Sequence, residues 1–545
     1  MKVKNIVLIS FVSFILLEIL FSCAQIVAPT GGKKDTLSPV ITKTFPVNQT
    51  TNFRGRQVEL EFNEYVSIDN IQQQLLITPN IEGTYETKIN PKGLRLTFDK
   101  PFKPNTTYSL NFRNAIKDVT ERNIAKNIRL VFSTGNIIDS LSVSGKVMNP
   151  LINKPVLDIN VGMYFYSDTL NPKKEKPYYF TKTDTSGVFK IENVALGKYR
   201  IFAVTDLNNN LLYEEAKELI GFVKDTIDLK SNLQNLNIDI AKMDKTPNKV
   251  LKTRSSINYY NIEYNRGFKK VKIAFQQKKD SLVYQQLDNR NLRIFNTINN
   301  SSDTIKVKIS VTDSLDRVFT HDQKIKFKVK GKKDESVKEE FSMKAIPANN
   351  EDIDLKEIGY TFNFTKPIAH VNLDLIDIQN DSINKVAISE KDFRWNDDKT
   401  SLTFKINGPK PKEFVRVRLK KGTFISVEND STGKYEVMHP IRDPENYGII
   451  EGDVKNPNKK NFIVQLLNER NEVVQEKVDN VLHYEFSFLK AGIYFIRLVV
   501  DENRNAKWDE GDVEKNITPE KIIYHPVRIK LKQNFVLSGN DFTID

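Results

Sequence analysis

The chain has 545 residues, 39% hydrophobic and 28% charged, with a formal net charge of +13 and one cysteine. That length exceeds what a single core can fill, so about three to five domains are expected, and the hydrophobic share excludes a disordered chain. A lone cysteine excludes a disulfide framework and leaves stability to burial.

Lys2 and Lys4 precede an apolar run over residues 6–17, which Glu18 interrupts. The run is short for a membrane span and has the layout of a cleaved export signal. It closes on Leu20-Phe21-Ser22-Cys23, which resembles a bacterial lipobox, the alternative being an ordinary cleaved signal with an incidental cysteine. The resemblance implies a signal peptide over 1–22, lipid attachment at Cys23, and an outer-membrane lipoprotein. Acyl chains contribute about 0.8 kcal/mol per buried methylene, so two or three of them would hold the chain on its membrane. Residues 23–36 have no apolar periodicity and read as a tether. Gly31-Gly32-Lys33 lacks the flanking residues of a phosphate loop.

From 37 to 139, runs at 58–62, 94–98, 108–112 and 128–132 alternate apolar and polar residues, with Pro, Asn and Gly between them. This predicts an antiparallel sandwich. Ser38-Pro39-Val40, Phe45-Pro46-Val47-Asn48, Leu60-Glu61-Phe62-Asn63-Glu64-Tyr65-Val66, Pro104-Asn105-Thr106-Thr107-Tyr108 and Phe132-Ser133-Thr134-Gly135 resemble the bacterial Ig-like domain associated with the S-layer protein SbsA. Tether and domain together resemble the start of a group of Bacteroidota lipoproteins. Such modules are implied to be spacers or binding units, with Glu61 facing solvent and Glu64 opening a turn rather than forming a catalytic pair.

A second unit, 140–245, opens with Ser144-Gly145-Lys146-Val147 and carries Gly197-Lys198-Tyr199; the last unit, 447–545, repeats this as Glu451-Gly452-Asp453-Val454 and Gly492-Ile493-Tyr494. Both resemble prealbumin-like or carboxypeptidase-regulatory-like β-sandwiches. Between them, 246–347 reads as one sandwich, and 348–446 echoes the strand order of the first domain as a degenerate Ig-like copy. The hydrophilic run 330–340 reads as a solvated loop or linker. The expected fold is all-β, a string of tandem antiparallel β-sandwich domains forming a tethered rod.

In Asp501-Glu502-Asn503-Arg504-Asn505-Ala506-Lys507-Trp508-Asp509-Glu510-Gly511-Asp512, oxygens from Asp501, Asn503, Asn505, Asp509, Asp512 and the Lys507 carbonyl have the spacing of a Ca2+ loop. The stretch resembles the Asp-x-Asn-x-Asn loops of dockerins, departing from an EF-hand in Ala506 and in following a strand. The second unit keeps Asp206, Asn208, Asn210 and Glu214 but has Lys217 where a last carboxylate would sit. The alternative for both is an Asx-rich turn bonding its own backbone.

Asp followed by Ser or Thr and an aliphatic residue recurs at Thr36, Ser140, Thr169, Thr226, Ser281, Thr304, Ser314 and Ser382. Composition alone yields roughly one or two such triplets. The pattern resembles the acceptor motif for O-glycosylation in Bacteroidota, and it equally suits a capped turn before a strand. The histidines His321, His370, His439, His483 and His525 have no zinc spacing, and no nucleophile elbow or nucleotide loop is present. Trp395 and Trp508 read as core residues before sugar platforms. Lysines spread along the chain suggest a diffuse basic surface facing anionic lipid or glycan, not nucleic acid. The expectation is a non-catalytic envelope scaffold, facing the periplasm and meeting other envelope proteins or glycans; the alternative is a carbohydrate-binding or glycan-processing accessory with aromatics and paired carboxylates along one groove.

Overall fold

A computed structural model describes residues 34–276, 282–298, 304–313, 316–329, 339–355, 358–381, 384–406, 410–478 and 481–544. The signal, Cys23, and the hydroxyls Ser281, Ser314 and Ser382 lie outside these residues. Among the described residues the chain is all-β with single helical turns such as Ile71–Gln74, and no helix is long and apolar enough to cross a membrane.

In the first module the strand Gln57–Phe62 turns Val58, Leu60 and Phe62 inward and leaves Glu61 exposed. It lies between Ile41–Phe45 and Gly93–Phe98, and Tyr85–Asn90 completes the sheet. Leu76–Thr78, Thr107–Asn111 and Arg129–Ser133 form the second sheet, and Val66–Ile68 pairs with Ile116–Asp118. Period-two alternation thus becomes a core of Leu60, Leu94, Leu96, Tyr108, Leu110 and Phe132.

The fourth module repeats that order. Met343–Ile346, Gly359–Phe364, Ser401–Lys405 and Phe393–Trp395 form one sheet; Ile376–Asn380, Phe414–Leu419 and Tyr435–Pro440 form another; Ile368–Val371 pairs with Phe424–Ser426. The third module has the same two sheets and, among its described residues, no short pair: Val250–Ser255, Tyr259–Tyr264, Asn291–Phe295 and Tyr284–Gln286 in one, Lys270–Phe275, Ile305–Thr312 and Val318–Ile325 in the other. Its topology makes it a further copy of the same plan.

The second and fifth modules share another topology. Leu141–Asn149 pairs antiparallel with Val188–Val194 and parallel with Leu233–Asp239; Gly448–Lys455 pairs antiparallel with His483–Leu489 and parallel with Val536–Leu537 and Phe542–Thr543. The returning strand explains the glycine in each opening strand. A Cβ on Gly145 would lie 2.1 Å from the Leu236 carbonyl oxygen, and one on Gly452 2.3 Å from that of Asn540. The facing sheets centre on Asn160–Phe165 with Gly197–Val204, and on Phe462–Leu467 with Gly492–Val500. Tyr199 and Tyr494 donate back to the carbonyls of Ala195 (3.0 Å) and Lys490 (2.9 Å), fixing the corner before each strand.

The sandwiches follow one another in tandem as expected, but they do not extend as a rod. The fifth folds back on the second: Arg497 and the Tyr524 hydroxyl both donate to the Leu151 carbonyl (2.8 and 2.7 Å), and Trp508 and Val513 pack on Tyr164, Phe202 and Phe222. Lys507 reaches Asp316 of the third module at 2.5 Å. Third and fourth modules meet through Gln285 to the Thr365 carbonyl and the Gln286 amide to Asp398. Arg442 of the fourth stacks between Tyr447 and Phe488. With Arg266 of the third module paired to Asp244 of the second, these contacts close a circuit of four modules, and the first joins it at the second through Arg113 with Asp158 and Arg129 with Glu192.

Candidate functional site

The two Asp/Asn loops follow the strands Gly197–Val204 and Gly492–Val500 and take one backbone path. Asn209 and Leu211, and in the second copy Arg504 and Ala506, have φ of 56°, 62°, 63° and 60°. That left-handed region costs a residue other than glycine about 1–2 kcal/mol. The first aspartate organises each turn. Asp501 accepts the amides of Asn505 and Ala506, and Asp206 those of Asn210 and Leu211. Asn503 and Asn505 direct their amide groups to Asp509 at 2.5 and 2.7 Å; Asn208 does the same to Glu214 at 2.7 Å.

The structure brings together Asp501, Asn503, Asn505 and Asp509, and likewise Asp206, Asn208, Asn210 and Glu214, but not Asp512. The Asp512 carboxylate accepts the amides of Glu514 and Lys515 and pairs with Lys245, sealing the contact with the second module. A different carboxylate closes each loop. Glu520 accepts the amides of Glu502 and Asp509 (2.8 and 3.0 Å), and Glu218 those of Leu207 and Glu214 (2.8 and 2.7 Å). In the earlier loop Lys217 therefore displaces nothing, since the next residue supplies the acid; it pairs with Glu214 instead. Aligning the copies on their first aspartates hides this correspondence, because Glu520 lies seven residues further along its loop than Glu218 does. Burial, with the charges of Asp509 and Asp501, raises the Glu520 pKa against the lowering effect of its two amide donors. The Lys507 side chain turns away to Asp316, leaving its carbonyl as the loop's remaining donor atom.

Trp508 is part of the joint: its indole N–H donates to the Glu520 carbonyl while its ring packs on the second module. The strands beneath carry the signal for this, since Arg200-Ile201-Phe202-Ala203-Val204 and Ile496-Arg497-Leu498-Val499-Val500 are near-continuous apolar runs. Such runs mark strands covered on both faces. Trp395 packs on Phe364 in the fourth core.

Elsewhere, Asp35, Glu64 and Asp118 place their carboxylate oxygens within 4.8 Å of one another. Burial and the two neighbouring charges raise the Glu64 pKa. Glu64 thus sits among carboxylates rather than simply opening a turn. Thr36, Ser140, Thr169, Thr226 and Thr304 are all exposed, and three of them directly precede strands: Ser140, Thr226 and Thr304. The Asp35 carboxylate accepts the Leu37 amide, as a capped turn requires. A 460 Å³ cavity between fourth and fifth modules contains Asp352, Asp354, Tyr447 and Phe488. These groups are engaged with one another: Arg442 bonds Asp352 and stacks on both rings, and the Tyr447 hydroxyl donates to Asp352.

A family described as bacterial Ig-like domain matches residues 35–134. No curated protein matches the chain. Among solved structures, surface layer protein SbsC, domains 1–6, is 11% identical, with 91% of this chain and 68% of that one covered at a TM-score of 0.17. BcpA, the major pilin subunit of Bacillus cereus, is 11% identical over 74% and 98% at 0.13. The SGBP-B protein of the Bacteroides ovatus mixed-linkage glucan utilization locus, in complex with a heptasaccharide, is 9% identical over 69% and 88% at 0.16. Scores this low carry no argument about architecture or ligand.

Proposed function

We propose that the protein is a non-catalytic envelope lipoprotein, held to the outer membrane through acylated Cys23 and facing the periplasm, that serves as a structural or interaction scaffold. The observation that carries this reading is the closed circuit of sandwich modules. Its concentrated polar side chains hold modules together, as Lys173 does with Glu514 and Lys245 with Asp512, instead of facing one another across an open cleft. The Ig-like match at residues 35–134 supports it, as does the resemblance of residues 20–23 to a lipobox. Within the scaffold the Asp501 and Asp206 loops are calcium sites that stiffen the joint between second and fifth modules. The donor set fits a hard cation: three carboxylates and two carboxamide oxygens per loop, with the Lys507 carbonyl besides in the later one, and strained backbone at Ala506 and Leu211 holding the turn. Cys23→Ser should move the processed chain from the membrane fraction to the soluble one on fractionation of the native envelope. Retention of the processed variant in the membrane would sink the anchoring reading.

A further inference from the structure

Lysines spread through the sequence come together on one face of the third module. In the sheet of Lys270–Phe275, Ile305–Thr312 and Val318–Ile325, one set of alternate residues is apolar and faces the core, including Val271, Val307, Ile309 and Ile325. The other set points outward. Lys270 and Lys272 on the first strand, Lys306 and Lys308 on the second, and Lys324 on the third are all exposed, with Asp322 as the one carboxylate among them.

The register makes the clustering unfavourable for the fold alone. Lys306 stands directly opposite Lys324, and Lys308 is flanked by Ala274 and Asp322. Like charges opposite each other destabilise a strand pair. None of these five lysines has an ion pair among the described residues. The fourth module's equivalent sheet shows the ordinary solution, with Arg418 paired across strands to Asp377 and Glu436. In the first module the corresponding sheet lies against the second module, where Arg129 meets Glu192. Among the described residues of the three modules built on this plan, only the third leaves this face cationic and without a covering module.

We infer that this lysine face is a docking surface for an anionic phospholipid bilayer, a membrane contact separate from any lipid anchor. The chemistry of the face selects that occupant. Its other outward residues are Ala274, Ser310, Thr312, Val318 and Thr320, so no aromatic ring is available to stack on sugars or bases. It has no arginine to fork onto one particular phosphate. Short side chains beneath flexible ammonium groups suit an extended plane of negative headgroups, where each lysine adds to the attraction without a defined partner.

The test is co-sedimentation of residues 24–545, which retains every module but lacks the apolar N-terminal run and Cys23, with vesicles of 30% phosphatidylglycerol in phosphatidylcholine. Binding to these vesicles, absence of binding to pure phosphatidylcholine, and loss in high salt are expected. Lys306→Glu, Lys308→Glu and Lys324→Glu together should lower the bound fraction at least about fivefold, and the neutral set Lys306→Gln, Lys308→Gln and Lys324→Gln by a smaller factor. A control of equal charge change, Lys126→Glu, Lys420→Glu and Lys421→Glu, should stay within about twofold of the parent. Equal loss in the control would assign the effect to bulk charge. Absence of vesicle binding, or binding to dextran sulfate that the face variants abolish while vesicles are ignored, would overturn the membrane assignment. Unchanged thermal melts establish that the variants are folded.

Discussion

Lys366 and Glu64 occupy the same place in two copies of one fold. Each lies two residues beyond the phenylalanine that ends a core strand, Phe364 or Phe62, and two before a buried aliphatic, Ile368 or Val66. The lysine, 1% exposed, is met by Glu428 at 2.7 Å and Asp430 at 2.5 Å; the glutamate meets two further carboxylates. A buried ammonium persists only because its partners neutralise it, and removing the cation leaves their negative charge without a counter-charge in a desolvated site. Lys366→Met is therefore expected to destabilise the fourth module by about 3 kcal/mol, the low end for a buried pair because water still reaches Asp430. Adding Glu428→Gln and Asp430→Asn should recover most of that. Trp395 fluorescence in a Trp508→Phe background follows the module through urea, and a single-variant midpoint indistinguishable from the parent would show that the cation contributes nothing.

Among elements, strands and turns were legible in the sequence because each is encoded locally. Alternation at 58–62 or 305–311 fixes which side chains enter the core, and the glycines at 145 and 452 mark where a returning strand must pass. The loop ligands were legible only in part. Asp501, Asn503, Asn505 and Asp509 fall within one short span, whereas Glu520 reaches the loop through the intervening turn that carries Asp512 to Lys245. The third module is harder to read as a copy of the first because no counterpart of the short pair Val66–Ile68 with Ile116–Asp118 is present among its described residues. If the loops hold calcium, EGTA should lower the melting temperature by several degrees, and Glu520→Gln should remove most of that dependence while Asp512→Asn leaves calcium binding intact. An identical melt with and without chelator, together with no calcium by elemental analysis, would leave only the Asx-turn alternative. Asp512→Asn still weakens the joint, so the readout that separates the two is calcium content, not stability.

At the scale of the molecule, the closed circuit depends on a small set of side chains that no local pattern announces: a tryptophan and a valine from a polar loop set on aromatics of a module some three hundred residues earlier. Sequence periodicity shows a face that must be covered, but not which module covers it. Trp508, half-buried, shares the apolar part of the contact with Val513, so its loss costs less than the ~3–5 kcal/mol of a fully buried ring. Lys245, Lys173 and Lys507 add the charged rim, which is partly exposed and weaker. The rim also sets the response to acid: Lys269 and Lys507 hold the Asp316 carboxyl down to about 2, so this contact is kept at neutral pH and lost only as the pH falls from 3.8 towards that value. Trp508→Ala combined with Lys245→Glu should open the circuit between second and fifth modules while leaving each sandwich folded, since neither residue belongs to a module's own core. Small-angle scattering would then give a larger radius of gyration than the parent at pH 7, and hydrogen exchange would rise at Phe202 and Phe222 but not at Leu60 or Leu402. An unchanged radius with unchanged exchange would show that the remaining contacts suffice to keep the circuit closed, and that the tryptophan is not its fastening.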